Sequence, residues 1–401
     1  MATSLKSHDS ACEAEVMPAD MIARAREIAP LLRERAEQAR AERRVPSETI
    51  ADFHRTGLIR ICQPKRFGGY EMGWDVLCEI TQILAEADGS QAWIQRIMAG
   101  HAHMVGTFPA EAQDDVWATN HNALISASFD PLMRGRPVPG GYIVNGRHGF
   151  SSGVDHADWA ICGGYIIDGE TKKGPLFFLV PRSDFVIIDD WRTIGLEGTG
   201  SKSFEVKDAF VPEHRILFGS ESDGGRGPGT QVNTSPVYRT PRGGITTTGF
   251  AALTVGIAKG VLREWLDYTA PRKSRGIPVA EQPGTQLIAA RSSAEIDAAE
   301  ALYMGSIRHA MRVLEAGGTI TEAELATTKR NIAYACKLAL KAGTRLFNAG
   351  GGRALFRGQA LERQYGNLLG AASHHAVVWD ANATSYAKNL FKRVNAELSK
   401  K

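Results

Sequence analysis

The sequence predicts three successive parts: a helical domain over residues 1–120, a β-rich domain over 121–225 and a helical bundle over 226–401. Two observations predict this order. Apolar residues recur with the 3.6-residue period of amphipathic helices at both ends of the chain, while the middle changes to short β-branched and aromatic runs split by Gly, Pro and Asp. A chain of 401 residues, 43% hydrophobic and 23% charged, is long enough to bury cores of this kind.

Taken in order, Met21, Ile22, Ala25, Ile28, Ala29, Leu32 and Ala36 form the apolar stripe of one long helix from Pro18 to about Arg44. A second helix starts at Ser47 and stops at Gly57, and a loop with Pro64 and the Gly68-Gly69 pair follows. Asp75 to Ala87 and Ser90 to Val105 read as two more helices, the second ending before Phe108-Pro109. Strand-like runs then appear at Ala123–Phe129, Gly141–Val144, Trp159–Cys162, Leu176–Val180 and Phe185–Ile188, a spacing that suggests a small barrel or sandwich reaching to Phe210-Val211-Pro212. The glycine-rich Gly219–Gly229 stretch reads as a mobile loop and a lid candidate, with poor order expected through Arg242. Helical periods return at Phe250–Thr269, Gln286–Ala316, Thr321–Ala349 and Gly358–Asn395, the pattern of a four-helix bundle.

The formal charge of +3, from 47 basic and 44 acidic residues, is too balanced to argue for nucleic acid or an anionic membrane, so a small-molecule partner is expected. Cys12, Cys62, Cys78, Cys162 and Cys336 are scattered without a C-x-x-C pair, which predicts neither disulfides nor a zinc site and points to a reducing cytoplasm. Met1 to Ser10 lacks the apolar core of a signal peptide, and no window approaches a membrane span.

The chemistry concentrates in Gly146 to Trp159. Ser151, Ser152 and Gly153 offer hydroxyl donors beside a backbone that a flat ligand can approach closely, so this stretch is the expected cofactor face. No G-x-G-x-x-G follows a strand, and no P-loop or H-E-x-x-H occurs. His101 and His103 fall at the end of the fourth helix. His374 and His375 fall in the last one, about 100° apart around its axis, so one of them, taken as His374, faces a common pocket. His374 and Asp380 do not share a helical face, and no metal site is expected. Trp93 and Trp191 read as core aromatics.

The order of parts, together with Trp191 to Ser203, Val211-Pro212, Tyr268-x3-Arg272-x3-Gly276-Ile277-Pro278 and Phe347-Asn348-Ala349-Gly350-Gly351, resembles the acyl-CoA dehydrogenase fold. In that family the arginine of the second run binds the FAD pyrophosphate of a neighbouring subunit. The resemblance therefore implies that role for Arg272, places Gly350 and Gly351 by the cofactor, and implies a homotetramer. The dehydrogenases use a glutamate base near the last helices, whereas Gly370 to Ala376 holds none. Gly89-Ser90-x2-Trp93-x7-His101, Phe150-Ser151-Ser152-Gly153, Gly195-Leu196-x-Gly198-Thr199-Gly200-Ser201 and Ala372-Ser373-His374-x5-Asp380 resemble instead the flavin-dependent monooxygenases on the same fold. Gly366-Asn367 stands where many relatives have Arg-Asp.

What this second resemblance implies is an oxygenase component that takes reduced flavin, FADH2 or FMNH2, from a separate NAD(P)H-dependent reductase. It uses O2 through a C4a-hydroperoxyflavin to hydroxylate a small aromatic or heteroaromatic compound. Ser152 is the candidate contact to flavin N5, with Ser151, Ser126, Ser128, Thr199 and Ser201 as further cofactor contacts. His101 is expected near the flavin-oxygen adduct and His374 as the substrate base, since a phenol of pKa about 10 needs an acceptor near 7. Oxygenation at nitrogen or sulfur, an acyl-CoA dehydrogenase and a non-catalytic scaffold are the alternatives.

Overall fold

The computed structural model describes residues 16–399; the Met1–Ser10 stretch and Cys12 lie outside the described residues. The N-terminal helices are α1 (Pro18–Glu34), α2 (Ala36–Glu42), α3 (Ser47–Thr56), α4 (Trp74–Ala87), α5 (Gly89–Val105) and α6 (Ala110–Trp117). The single helix expected from Pro18 to Arg44 is broken at Arg35, whose guanidinium turns onto Asp52 at 2.7 Å and Thr49 at 3.2 Å. The break lets α2 pack on the Glu197–Thr199 turn, where Arg40 bonds Glu197 and Glu362. α6 was not apparent from periodicity, because its buried face is only Ala112, Gln113, Val116 and Trp117.

α5 is the axis of the molecule, with every one of its residues buried. A helix buried all round is normally apolar all round. This one carries Ser90, Gln91, Gln95, Arg96, His101 and His103, so each must find a partner inside the protein.

Strands β1 (Ile125–Val138), β2 (Gly141–His148), β3 (Trp159–Asp168), β4 (Thr171–Pro181), β5 (Phe185–Ile188), β6 (Ser203–Pro212) and β7 (Ile216–Phe218) form one sheet in the order β5-β6-β2-β1-β3-β4-β7. β1 and β3 are parallel and the other neighbours antiparallel. The sheet curls around Val144, Ala160, Phe178, Phe185 and Phe204, so that β4 and β6 meet without hydrogen bonding.

The segment expected to be a mobile loop is a packed connection instead. It contains α7 (Gly219–Asp223) and single turns at Pro228–Gln231 and Pro236–Arg239. Asn233 donates to the Gly106 carbonyl at 2.7 Å and to Gln113 at 2.9 Å, and the buried Tyr238 hydroxyl donates to the Cys62 carbonyl at 3.0 Å. Its glycines mark close approach: a Cβ at Gly229 would lie 2.3 Å from the Gly106 oxygen, and one at Gly227 2.5 Å from the Thr107 oxygen. A segment tied down in this way does not serve as a lid.

The C-terminal helices are α8 (Thr248–Thr269), α9 (Pro283–Glu315), α10 (Glu322–Gly350), α11 (Ala360–Ala372) and α12 (Trp379–Leu398), with a two-residue-per-strand ribbon of β8 (Lys273–Ser274) and β9 (Ile277–Pro278) between α8 and α9. α8 to α11 make the bundle and α12 lies on α10. The helix expected over Gly358–Asn395 is therefore two. His374 is extended at the break, with φ −63° and ψ 134°, and its ring caps the next turn. No helix among the described residues is long and apolar enough to cross a membrane.

Candidate functional site

Two turns meet over α5. Phe150 and Gly153 take positive φ (56° and 71°), as does Leu196 (56°), which bends both turns sharply. They are joined by backbone bonds from Ser151 to the Lys202 carbonyl and from Gly153 to the Thr199 carbonyl. This join aligns their hydroxyls in a row. Trp93 Nε1 donates to Ser152 Oγ at 3.0 Å, Ser152 Oγ lies 2.8 Å from Ser201 Oγ, and Ser201 Oγ lies 2.6 Å from Thr199 Oγ1.

The row has a direction. Thr199 commits its only hydroxyl proton to the Leu196 carbonyl at 2.8 Å, so Ser201 donates to Thr199 and Ser152 to Ser201. Ser152 is left with a spare lone pair and no spare proton. It is an acceptor for whatever approaches. Ser126 and Ser151, both fully buried, bond each other at 3.1 Å, and Ser128 donates to the Gly149 carbonyl at 2.9 Å. These three brace β1 against the serine turn.

His374 adjoins this row through Trp93, and His101 lies about two helical turns further along α5. His374 stacks on Phe250 at 3.8 Å between ring centres and meets Trp93 edge-on at 5.8 Å. The exposed His375 ring lies 4.4 Å from it, on the solvent side. His101 Nδ1 is 2.8 Å from the Ile125 carbonyl and its ring meets Phe129 edge-on at 5.7 Å.

The two rings hold opposite tautomers. A carbonyl can only accept, so His101 Nδ1 carries the proton and Nε2 presents a lone pair. The Ala376 N–H donates to His374 Nδ1 at 3.2 Å, so the neutral His374 ring carries its proton on Nε2. In these tautomers the free ring nitrogen is an acceptor in His101 and a donor in His374.

Burial pushes His101 down to about 4 and His374 to about 3, and the positive charge of Arg96 adds to both shifts. His103 and His148 are likewise pushed to about 4 by burial. These rings stay neutral in the folded chain well below 6.5, near which an imidazole of the unfolded chain protonates. Protons then bind the unfolded state preferentially, so stability is complete above pH 6.5 and falls as pH drops toward about 4, by at most about 1.4 kcal/mol per pH unit for each ring. Urea unfolding followed across this window is expected to show a midpoint that falls with pH. A flat midpoint there would contradict the buried neutral rings.

α11 is keyed to the same turns. Asn367 Oδ1 accepts the Leu196 N–H at 2.8 Å, and Gln364 Oε1 accepts the Gly89 N–H at 3.3 Å. Asn367, at the position where the Arg-Asp pair is missing, thus holds the loop that ends in Thr199 and Ser201.

Arg272, Gly350 and Gly351 are not brought to this site within one chain. Arg272 and Tyr268 both donate to the Gly350 carbonyl, at 3.2 and 3.0 Å, beyond the far end of α8. Some 19 residues of α8 separate Phe250 from that end, about 29 Å of helix. Sequence reasoning also missed Phe250 and Arg96. The available signal for Arg96 was a charged residue on a helix that has no polar face.

The donor set fits a reduced flavin, whose N5–H needs an acceptor such as Ser152 Oγ. Two residues before Ser152, Phe150 leaves a large apolar side chain 76% exposed, its ring 5.7 Å from that of Trp191, an uncovered surface suited to a flat ring. Comparison with known proteins agrees. Residues 18–121 match the acyl-CoA dehydrogenase N-terminal domain and residues 248–379 the acyl-CoA dehydrogenase C-terminal domain. The chain is 33% identical to the oxygenase subunit HsaA, a flavin-dependent monooxygenase of Rhodococcus jostii, over 87% of this chain and 92% of that one. It is 30% identical to the oxygenase component of an FADH2-dependent resorcinol hydroxylase of a Rhizobium strain, over 92% and 93%. The crystal structure of the 3-HSA hydroxylase from Rhodococcus sp. RHA1 superposes with a TM-score of 0.89 at 31% identity, covering 93% of this chain and 97% of that one. A site of hydroxyls and neutral imidazoles without a glutamate base, on a fold shared along nearly the whole chain with these enzymes, places the protein among the flavin-dependent monooxygenases, as the oxygenase component of a two-component system.

Proposed function

We propose that this oxygenase hydroxylates a phenolic aromatic ring, with His101 as the substrate base and His374 and Ser152 holding the flavin. Bound reduced flavin supplies the electrons that activate O2, of which one atom enters the ring and the other leaves as water. The protein's own contribution is proton placement. Ser152 Oγ would accept the N5–H of a bound reduced flavin, and the chain through Ser201 and Thr199 keeps it from turning to donate. His374 Nε2–H is the donor beside it, and buried Trp93 and Phe250 keep water away. His101 Nε2, with no protein partner among the described residues, takes the phenolic proton.

The observation that carries this reading is the opposed tautomers of the two imidazoles. Reduced flavin reaches the chain from a separate NAD(P)H-dependent reductase. Arg272 and the Gly350-Gly351 turn serve the flavin of a neighbouring subunit in a homotetramer, which accounts for their distance from Ser152 within one chain.

The test is the return of oxidised-flavin absorbance after the protein and chemically reduced flavin are mixed with oxygenated buffer. Wild type is expected to delay that return well beyond free flavin. Ser152→Ala, which removes the acceptor, is expected to shorten the delay at least tenfold, the order of one charge-free hydrogen bond of about 1.5 kcal/mol. A wild type that returns as fast as free flavin would overturn the reading.

A further inference from the structure

Arg96 carries a buried charge that the protein itself does not neutralise. Its side chain is 6% exposed, its Nη2 donates to the Thr246 carbonyl and its Nε has no hydrogen-bond partner. No carboxylate pairs with it among the described residues. The acids that it feels are the thiols of Cys78 on α4 and of Cys62 just before it, both fully buried and both kept protonated by that burial. Its guanidinium lies 4.3 Å from the Phe250 ring centre and 5.9 Å from that of Trp74. Aromatic faces offset only part of what burying a cation costs. Burial lowers Arg96 to about 10, which leaves it charged at neutral pH.

The position of this charge is informative. Phe250, under the guanidinium, stacks its ring on His374, and both His374 and His101 sense the same cation. His101 on α5 and His374 after α11 are themselves neutral, so neither adds to nor offsets that positive charge.

We propose that the missing counter-charge is the substrate: Arg96 makes the region between His101, Phe250 and His374 a site for a phenol in its anionic form. This rests on the hydroxylation reading above and names the ionic state that the site selects. It also removes a difficulty, since an imidazole near 4 is too weak to hold a phenolic proton unless the phenolate is stabilised in place. The proton leaves the phenol oxygen for His101 Nε2 and passes to solvent, so binding releases about one proton per phenol near neutral pH, given that low imidazole value.

The probe is 4-nitrophenol, whose anion is yellow and whose acid is colourless, titrated with the flavin-free wild-type protein across a range of pH. The bound dye is expected to be at least tenfold more ionised than the free dye at a given pH, a drop of one unit or more in its pKa. A bound value equal to or above the free one, the direction that burial alone imposes on a phenol, would overturn the proposal. So would the absence of saturable binding. Arg96→Met is expected to abolish the drop and Arg96→Lys, which keeps the charge, to retain most of it; a full drop in Arg96→Met also overturns the proposal. Should Arg96→Met not fold, the wild-type titration still decides. If wild type delays flavin reoxidation yet does not ionise the dye, only the role of Arg96 fails. If the delay is absent, the oxygenase reading fails with it.

Discussion

Replacing His101 by Asn is expected to lower the rate of product formation by about 10²–10⁴, the range typical of removing a positioned base. Asn can keep the donor that bonds the Ile125 carbonyl, so the change deletes the Nε2 lone pair with little disturbance of β1. Flavin reoxidation in the absence of substrate should keep its wild-type delay. His374→Asn should do the reverse: the delay shortens, and product falls only in proportion to the reduced flavin lost before hydroxylation. Single-turnover reactions, in which product yield and flavin absorbance are followed together, separate the two. A large loss of product in His374→Asn with the delay intact would restore the roles suggested by sequence. If neither variant impaired product beyond its effect on the delay, a base would be unnecessary and oxygenation at nitrogen or sulfur would be the better account.

A comparable effect on stability is expected from Gly195→Ala. A Cβ at Gly195 would lie 1.9 Å from the Gly366 carbonyl oxygen and 2.3 Å from its carbon, and both partners are backbone. Nothing there can rotate away. Either the Ile194–Leu196 turn or α11 must move, which breaks the Leu196 to Asn367 bond of 2.8 Å and unseats the loop carrying Thr199 and Ser201. The destabilisation should reach about 3 kcal/mol, the upper end for overpacking, and Ser152 should lose its orientation with it. Thermal unfolding and reduced-flavin affinity measured on the same variant check both parts. A variant with unchanged stability would contradict a close backbone contact between Gly195 and Gly366.

Elements with long periodic patterns were legible in the sequence. α8, α9 and α10 lie within three residues of their expected bounds, because each repeats its apolar stripe over many turns. The breaks were not legible. At Arg35 and at Ser373–Val378 the helical period continues in the sequence, and the interruption comes from tertiary bonds, an Asp52 partner in one case and the His374 ring capping its own chain in the other. Glycine density misled over 219–229, where the glycines admit neighbouring backbone instead of conferring mobility. At the site, the serines and both histidines were visible as residue types. Where their protons sit was not, because a proton's location on an imidazole or a hydroxyl depends on what lies opposite, and Ile125, Ala376 and Leu196 are remote or inconspicuous in the sequence. Arg96 was hidden for the same reason: its isolation is a property of what surrounds it in the fold.

The most direct measurement is the source of the oxygen atom in the product. Protein, chemically reduced flavin and a phenolic substrate would be mixed under O2 labelled with heavy oxygen, in ordinary water, and the product analysed by mass spectrometry. The expected result is one heavy atom per product molecule, and none when the label is placed in the water instead. Product that carries oxygen from water, or substrate oxidised without gain of oxygen while flavin is consumed, would contradict a monooxygenase and return the chain to the dehydrogenase chemistry of its fold.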